Sequence, residues 1–193
     1  MTKPVLQIII TTTRPGRKGP ALAQWLLQHA HADSRFDVEL VDIAALNLPL
    51  FDEPNHPRLG QYTKNHTKYW SNIAARGDAY IFVIPEYDHL PPSSFINAIT
   101  YLCNEWAYKS VAFLSYGGVS GGTRAAEAAR QMLTAVRMYP ILDTIAVPNY
   151  YENLGDDGSF TGNNLIEKSV KSVLDELHKV EQGLKIIRNL DKN

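Results

Sequence analysis

Short runs of consecutive apolar residues rich in Val, Ile and Phe recur along the chain, separated by longer stretches whose apolar residues fall three and four apart. The first pattern suits a strand buried on both faces, and the second suits a helix with one covered face. Val5–Ile10 predicts the first strand, Phe36–Val41 the second, Ala79–Ile84 the third and Ser110–Ser115 the fourth, and a fifth is expected between Tyr139 and Val147. Between them, a helix is expected from Pro20 onward, with Leu22, Trp25, Leu26 and His29 on one face. Others are expected from Tyr62 to Arg76, from Phe95 to Asn104, and along a stripe of Ala125, Ala128, Ala129, Met132, Leu133 and Val136. A last helix carries Ile166, Val170, Val173, Leu174, Leu177, Leu184 and Ile187, while Leu48–Pro57, broken by Pro49, Pro54 and Pro57, reads as a surface loop.

Strand and helix in strict alternation predict an α/β fold. The leading form is a flavodoxin-like three-layer sandwich, a five-stranded parallel sheet of order 2-1-3-4-5 with helices on both faces. At 193 residues the chain suffices for one substantial core, and residues 1–193 are read as a single domain. Ligands of such sheets sit beyond the carboxyl ends of the strands, near the switch in strand order. The loops after strands 1, 3 and 4 are therefore where chemistry is sought.

Composition narrows the partners. With 19 Lys and Arg against 20 Asp and Glu the formal net charge is -1, so there is no basic excess for nucleic acid. No apolar run has the length of a membrane span. The single cysteine, Cys103, excludes an intrachain disulfide and a cysteine-based zinc site. A soluble, cytoplasmic protein without nucleic-acid or membrane partner is expected. The histidines show no pair at i, i+4, so no metal site is expected.

The loop after strand 1, Thr11-Thr12-Thr13-Arg14-Pro15-Gly16-Arg17-Lys18-Gly19-Pro20, places three hydroxyls, three cations and two glycines immediately before a helix. Hydroxyl and backbone N–H donors, positive charge and a helix amino end are what a phosphate needs. Neither G-x-G-x-x-G nor G-x-x-x-x-G-K-[ST] occurs there, which turns the reading from a dinucleotide or a P-loop nucleotide toward a monoester phosphate such as that of FMN. A solvated basic turn is the competing reading. After strand 3, Pro85-Glu86-Tyr87-Asp88-His89-Leu90-Pro91-Pro92-Ser93-Ser94 combines stiffening prolines with an aromatic among polar groups, suited to a planar ligand. Taken alone it reads equally as Pro92 starting a helix capped by Ser93 or Ser94. After strand 4, Ser115-Tyr116-Gly117-Gly118-Val119-Ser120-Gly121-Gly122 holds four glycines that permit positive φ and close approach of amides to a ring edge.

In these three loops the chain resembles the NAD(P)H-dependent FMN reductase family, whose members carry Gly-Ser-x-Arg, Pro-Glu-Tyr-Asn and Ser-Tyr-Gly-Gly at the corresponding places. Leu48-Pro49-Leu50, Asn97-Ala98-Ile99 and Glu105-Trp106 match in order and spacing as well. The resemblance implies an FMN-dependent oxidoreductase passing hydride from NADPH or NADH to a small acceptor such as a quinone, a free flavin or an azo compound. It implies that Thr12, Arg14, Arg17, Gly19 and Pro20 surround the FMN phosphate. Pro85, Glu86, Tyr87 and Asp88 would then line the isoalloxazine, with Ser115, Gly117 and Gly118 on its other edge. Thr11, Asp88 and Ser93 depart from the usual glycine, asparagine and glycine. An acidic Asp88 would disfavour an anionic reduced flavin or a phosphate-bearing acceptor. No general base is obligatory. Oligomers, a homodimer or homotetramer, are common among such proteins; the Leu48–Pro57 loop with Tyr101, Trp106 and Tyr108 offers material for an interface or, equally, for the core.

Two rivals follow from the same residues. Gly118-Val119-Ser120-Gly121-Gly122 matches the G-x-S-x-G of a serine hydrolase, which would need His178, the one histidine after Ser120. An FMN-binding electron carrier or sensor without enzymatic activity is the other, and the near-neutral charge counts against electrostatic docking of a carrier.

Overall fold

Strands apolar on both faces bury themselves only between two helical layers, and that is where a computed structural model, describing residues 3–190, puts them. In chain order the elements are β1 (Val5–Ile10), α1 (Gly19–Ala32), β2 (Asp37–Asp42), α2 (Ile43–Leu46), α3 (Asn65–Arg76), β3 (Ala79–Pro85), α4 (Ser93–Thr100), β4 (Ser110–Tyr116), α5 (Thr123–Ala135), β5 (Tyr139–Pro140), β6 (Ile145–Val147) and α6 (Asn164–Leu190). The sheet is parallel throughout in the order β2-β1-β3-β4-β5, with β6 also on β4. This is the expected flavodoxin-like arrangement.

The alternation along each strand divides the core. Ile8, Ile10, Ile81, Val83, Ala112 and Leu114 face α1 and α6, where Leu22, Trp25, Val173 and Leu177 cover them. Ile9, Tyr80, Phe82, Ile84, Val111 and Phe113 face the other way, onto Trp70, Phe95, Ala126 and Leu133. Tyr101 and Trp106, offered by the sequence to interface or core alike, are fully buried in this second layer. Tyr108 lies against Tyr139, with ring centroids 6.2 Å apart.

Several boundaries differ from the sequence expectation, each for a tertiary reason. The fifth strand is broken: Tyr139–Pro140 pairs with Ser110 and Val111, and Ile145–Val147 with Leu114, Ser115 and Tyr116. Between them the chain leaves the ladder, and the Arg130 guanidinium takes up the freed groups. It donates to the carbonyls of Ile141 and Leu142 and, at 2.8 Å, to the Thr144 hydroxyl. The helix expected from Tyr62 starts at Asn65 because the Glu53 carboxylate holds the backbone N–H groups of Thr63 and Lys64, both at 2.9 Å, in extended chain. The helix expected over Phe95–Asn104 runs from Ser93 to Thr100, followed by a separate 3-10 turn at Asn104–Trp106. On α5 it is Ala126, not the half-exposed Ala128, that faces the core. The Leu48–Pro57 segment is a loop as expected, pinned by the Asn97 amide, which donates to the Pro49 carbonyl at 2.7 Å and accepts from the Phe51 N–H at 3.0 Å.

Candidate active site

Because β1, β3 and β4 are neighbours in register, the loops that follow them emerge side by side. Ile10 pairs with Val83, and Pro85 with Tyr116. Backbone bonds extend the tie past the strand ends, from the Thr11 N–H to the Val83 carbonyl at 3.3 Å and from the Glu86 N–H to the Tyr116 carbonyl at 3.1 Å.

In the first loop the hydroxyls of Thr11 and Thr12 have different fates. Thr11, where the resemblance expects glycine, is fully buried; its hydroxyl donates to the Val83 carbonyl at 2.8 Å, and its own carbonyl accepts from the Ser94 hydroxyl at 2.5 Å. Ser94 therefore staples α4 to the loop rather than capping its own helix. Thr12 is also fully buried, and its hydroxyl completes no hydrogen bond among the described residues, although the Tyr116 hydroxyl stands beside it. It faces the amino end of the 14-residue α1, whose first turn holds Gly19 and Pro20. A Cβ on Gly19 would lie 2.5 Å from the Thr12 hydroxyl and 3.3 Å from that of Tyr116, so only glycine lets the helix approach both. A buried hydroxyl left unpaired costs about 1–3 kcal/mol, a penalty an anion would relieve by accepting its proton.

The three cations of this loop are not equivalent. Arg17 donates to both carboxylate oxygens of Asp42, at 2.6 and 2.5 Å, and to the Thr12 carbonyl at 2.7 Å. Arg14 is exposed; its Nε donates to the Tyr87 hydroxyl at 3.0 Å, and its guanidinium carbon lies 5.7 Å from the centre of that ring. Arg14 and Lys18 have no carboxylate partner among the described residues.

After β3 the chain folds into a two-residue hairpin turn. The Tyr87 N–H donates to the Leu90 carbonyl at 3.0 Å and the Leu90 N–H to the Tyr87 carbonyl at 2.9 Å, with Asp88 at φ 50° and His89 at φ 69°. Asn and Asp both tolerate this left-handed region better than most side chains, so Asp88 meets the same backbone demand as the usual asparagine. Glu86 points away from the turn. Its nearly buried carboxylate accepts from Ser120 Oγ at 3.1 Å, from the Arg124 N–H at 3.2 Å and from Arg124 Nε at 2.7 Å. Burial pushes the Glu86 carboxyl up, but the bonds from Arg124 and Ser120 prevail and hold it below the usual carboxylate range.

The glycines after β4 divide their work. Gly121 and Gly122 alone of the four adopt positive φ, 61° and 76°, and a Cβ on Gly122 would meet the Tyr116 backbone at 2.6 Å. These two fold the loop onto its own strand, where Ser115 Oγ clasps the Gly121 carbonyl at 2.8 Å. A Cβ on Gly118 would meet nothing within 4 Å, so this position opens outward. Ser120, the nucleophile a hydrolase would need, is bonded to Glu86 and Arg124, whereas His178 lies on α6 against Phe36. Phe36 directly precedes β2, at the opposite end of the sheet, so no triad assembles.

The three loops enclose a cleft of about 260 Å³ lined by Arg14, Lys18, Pro85, Glu86, Tyr87, Tyr116, Gly117, Gly118 and Tyr150. A second cleft of about 370 Å³ lies on the Thr13 side of the first loop, bounded by Ser93, Ser94, Asn97 and Leu48 among others; it carries neither cation nor glycine. The sequence counts Lys18 among the cations of the first loop without naming it as a contact, and assigns no site role to Tyr116 or Tyr150. Tyr150 enters from beyond β6 because the N–H groups of Asn149 and Tyr150 bond the carbonyls of Gly118 and Gly117, at 2.9 and 3.3 Å, a juxtaposition with no local signal.

Over residues 5–152 the sequence matches the family described as NADPH-dependent FMN reductase. The chain belongs to this family. A member of the NADPH-dependent FMN reductase family, it is an oxidoreductase that uses FMN and takes its electrons from NAD(P)H. It is 32% identical over 148 residues to an NAD(P)H-dependent FMN reductase of Schizosaccharomyces pombe, covering 75% of this chain and 74% of the relative. To an NAD(P)H-dependent FMN reductase of Saccharomyces cerevisiae it is 27% identical over 142 residues, covering 68% and 74%. Among solved structures, FerB, a flavoenzyme NAD(P)H:(acceptor) oxidoreductase from Paracoccus denitrificans, superposes with a TM-score of 0.74 at 19% identity, over 93% of this chain and 98% of that one. At that identity the likeness speaks for the fold, which the two share.

Proposed function

We propose that the cleft between the loops after β1, β3 and β4 holds FMN, with its phosphate at the amino end of α1. The observation that carries this reading is a convergence: the fully buried, unpartnered Thr12 hydroxyl meets Gly19 at the amino end of α1, beside Arg14 and Lys18, which have no carboxylate partner among the described residues. Thr12, Gly19 and Pro20 would surround the phosphate and Arg14 would supply charge to it, with Arg17 behind them. Pro85, Glu86 and Tyr87 would line one edge of the ring, with Asp88 in the turn just beyond the cleft lining, and Gly117 and Gly118 would line the other, with Ser115 holding the glycine loop in shape. When bound, FMN supplies the transfer of two electrons between the nicotinamide nucleotide and the acceptor. The chain's own part is to bind the phosphate, orient the ring between rigid loops and keep the strand ends dry.

The acceptor is a small molecule such as a quinone, a free flavin or an azo compound; the small cleft and near-neutral charge support this over a docked protein. Residues 1–193 act as one flavin-binding domain, a reading supported by both core layers resting on one sheet. A homodimer or homotetramer is supported by the exposed Leu50, Phe51 and Ile96, brought together where Asn97 pins the Leu48–Pro57 loop to α4. A cytoplasmic setting is supported by the lone cysteine. Among the described residues no helix is long and apolar enough to cross a membrane.

The purified chain should take up FMN, NADPH or NADH should bleach the bound flavin within seconds, and a quinone should restore its colour. Failure to bind added FMN overturns the cofactor site; binding without oxidation of either nucleotide, whatever the acceptor, overturns its use as a reductase site.

A further inference from the structure

Arg17 sits in the phosphate loop, but its charge is already spent. Both oxygens of the Asp42 carboxylate take its guanidinium, at 2.6 and 2.5 Å, in the planar two-point pairing that arginine alone can make. The Nη1 that bonds Asp42 also reaches the Thr12 carbonyl at 2.7 Å. Asp42 is fixed in turn, because it ends β2, which pairs with β1 up to Ile10, and because its Oδ1 accepts the Ala44 N–H at 3.0 Å at the start of α2. A continuous path therefore runs from the end of the edge strand through Asp42 and Arg17 to the backbone of Thr12. Thr12 is the residue whose buried hydroxyl lacks a partner.

We propose that Asp42 is a positioning residue for flavin phosphate recognition: it holds Arg17 against the Thr12 carbonyl, and so fixes the Thr12 hydroxyl and its neighbouring N–H groups toward the anion. Arg17 serves the phosphate through the backbone, not by contact. This rests on the placement of the FMN phosphate at the loop after β1. The two possible roles of Arg17 make opposite demands on Asp42. If Arg17 touched the phosphate, Asp42 would compete for it, and removing the carboxylate would strengthen binding. If Arg17 is a strut, removing the carboxylate loosens the loop and weakens binding.

The test is titration of the flavin-free protein with FMN and with riboflavin, for the wild type and for Asp42→Asn, Asp42→Glu and Arg17→Gln. Asparagine keeps an oxygen for the Ala44 N–H, and thermal melting establishes that each variant is folded. Wild type should prefer FMN over riboflavin. Asp42→Asn and Arg17→Gln should each weaken FMN by about tenfold, the effect of one lost charge-assisted hydrogen bond, and leave riboflavin within about twofold. The double variant should be no worse than either single one, and Asp42→Glu should recover most of the loss. The salt dependence of FMN binding should be the same in the double variant as in wild type, because the pair carries no net charge in either. FMN binding by Asp42→Asn that equals or exceeds wild type, or a double variant whose FMN binding loses salt dependence, overturns the strut. A wild type that binds both flavins equally overturns the phosphate placement itself, and the strut with it.

Discussion

The two ends of the sheet both bury polar groups, and they dispose of them differently. At the amino ends of the strands every buried charge among the described residues has found a partner within the protein. Arg188 donates to both oxygens of the fully buried Glu181, at 2.6 and 3.1 Å, to Asp78 at 3.3 Å and to the Tyr108 carbonyl at 2.7 Å. Lys109 donates to the Tyr80 hydroxyl at 3.0 Å and the Ala75 carbonyl at 3.1 Å. At the carboxyl ends, Arg14 and Lys18 line a cleft without a carboxylate partner, beside an unpaired Thr12 hydroxyl. An orphaned hydroxyl is not by itself the mark of a site, since the Ser110 hydroxyl and the Trp106 indole N–H at the other end are unpaired too. What distinguishes Thr12 is convergence: a helix amino end, spare cations and an outward-opening glycine meet at the same place. One end is built for stability, the other holds binding capacity in reserve.

The largest expected effect tests the first half of that contrast. Arg188→Met leaves Glu181 buried and unpaired, and should lower stability in urea unfolding by about 3 kcal/mol while leaving FMN affinity within about twofold. A comparable loss of FMN affinity would mean that the two ends are coupled.

Next comes the pH dependence of Lys109, whose ammonium is pushed down to about 8 by burial. Between that value and the ordinary lysine range near 10.5 the unfolded chain carries the extra proton, so stability should rise with pH over that window. From about pH 8 to 10 the gain is on the order of 2 kcal/mol, and Lys109→Met should abolish the slope. Tyr80, raised by its own burial, works against the gain only above about pH 10. A wild-type stability that is flat or falls across the same window contradicts the buried-amine reading.

The smallest effect in energy is the most specific. Thr12→Val removes the orphaned hydroxyl at nearly constant shape, so the flavin-free protein should melt no lower than wild type. FMN should bind about tenfold more weakly and riboflavin unchanged. A lower melting temperature together with unchanged FMN binding would make Thr12 an ordinary core residue and erase the difference between the two ends.

Much of this architecture is legible along the chain. Val5–Ile10, Ala79–Ile84 and Ser110–Ser115 stand as strands within a residue, because each run is dominated by apolar residues, with Gln7, Ser110 and Ser115 its few buried polar positions, and ends in a polar or glycine-rich loop. The first loop shows its chemistry because hydroxyls, cations and glycines for an anion all lie within ten residues of one strand end. The fifth strand misleads, since nothing local announces that Arg130 will satisfy the carbonyls of a gap. The start of α3 misleads likewise, because the brake on it, Glu53, lies in the preceding loop. The glycine loop reads as four equivalent glycines, and only the packing of Gly122 on Tyr116 separates those that fold the loop from those that face the cleft.

By itself, then, the sequence determined which runs become buried strands, where most of the connecting loops fall and which loop gathers hydroxyls, cations and glycines, because these follow from period, φ preference and local composition. Only the tertiary structure decided who partners whom. Arg17 belongs to Asp42, Glu86 to Arg124, and Tyr150 to the cleft. Such pairings span tens of residues and exist because strand order sets distant loops beside one another, which no window along the chain can see.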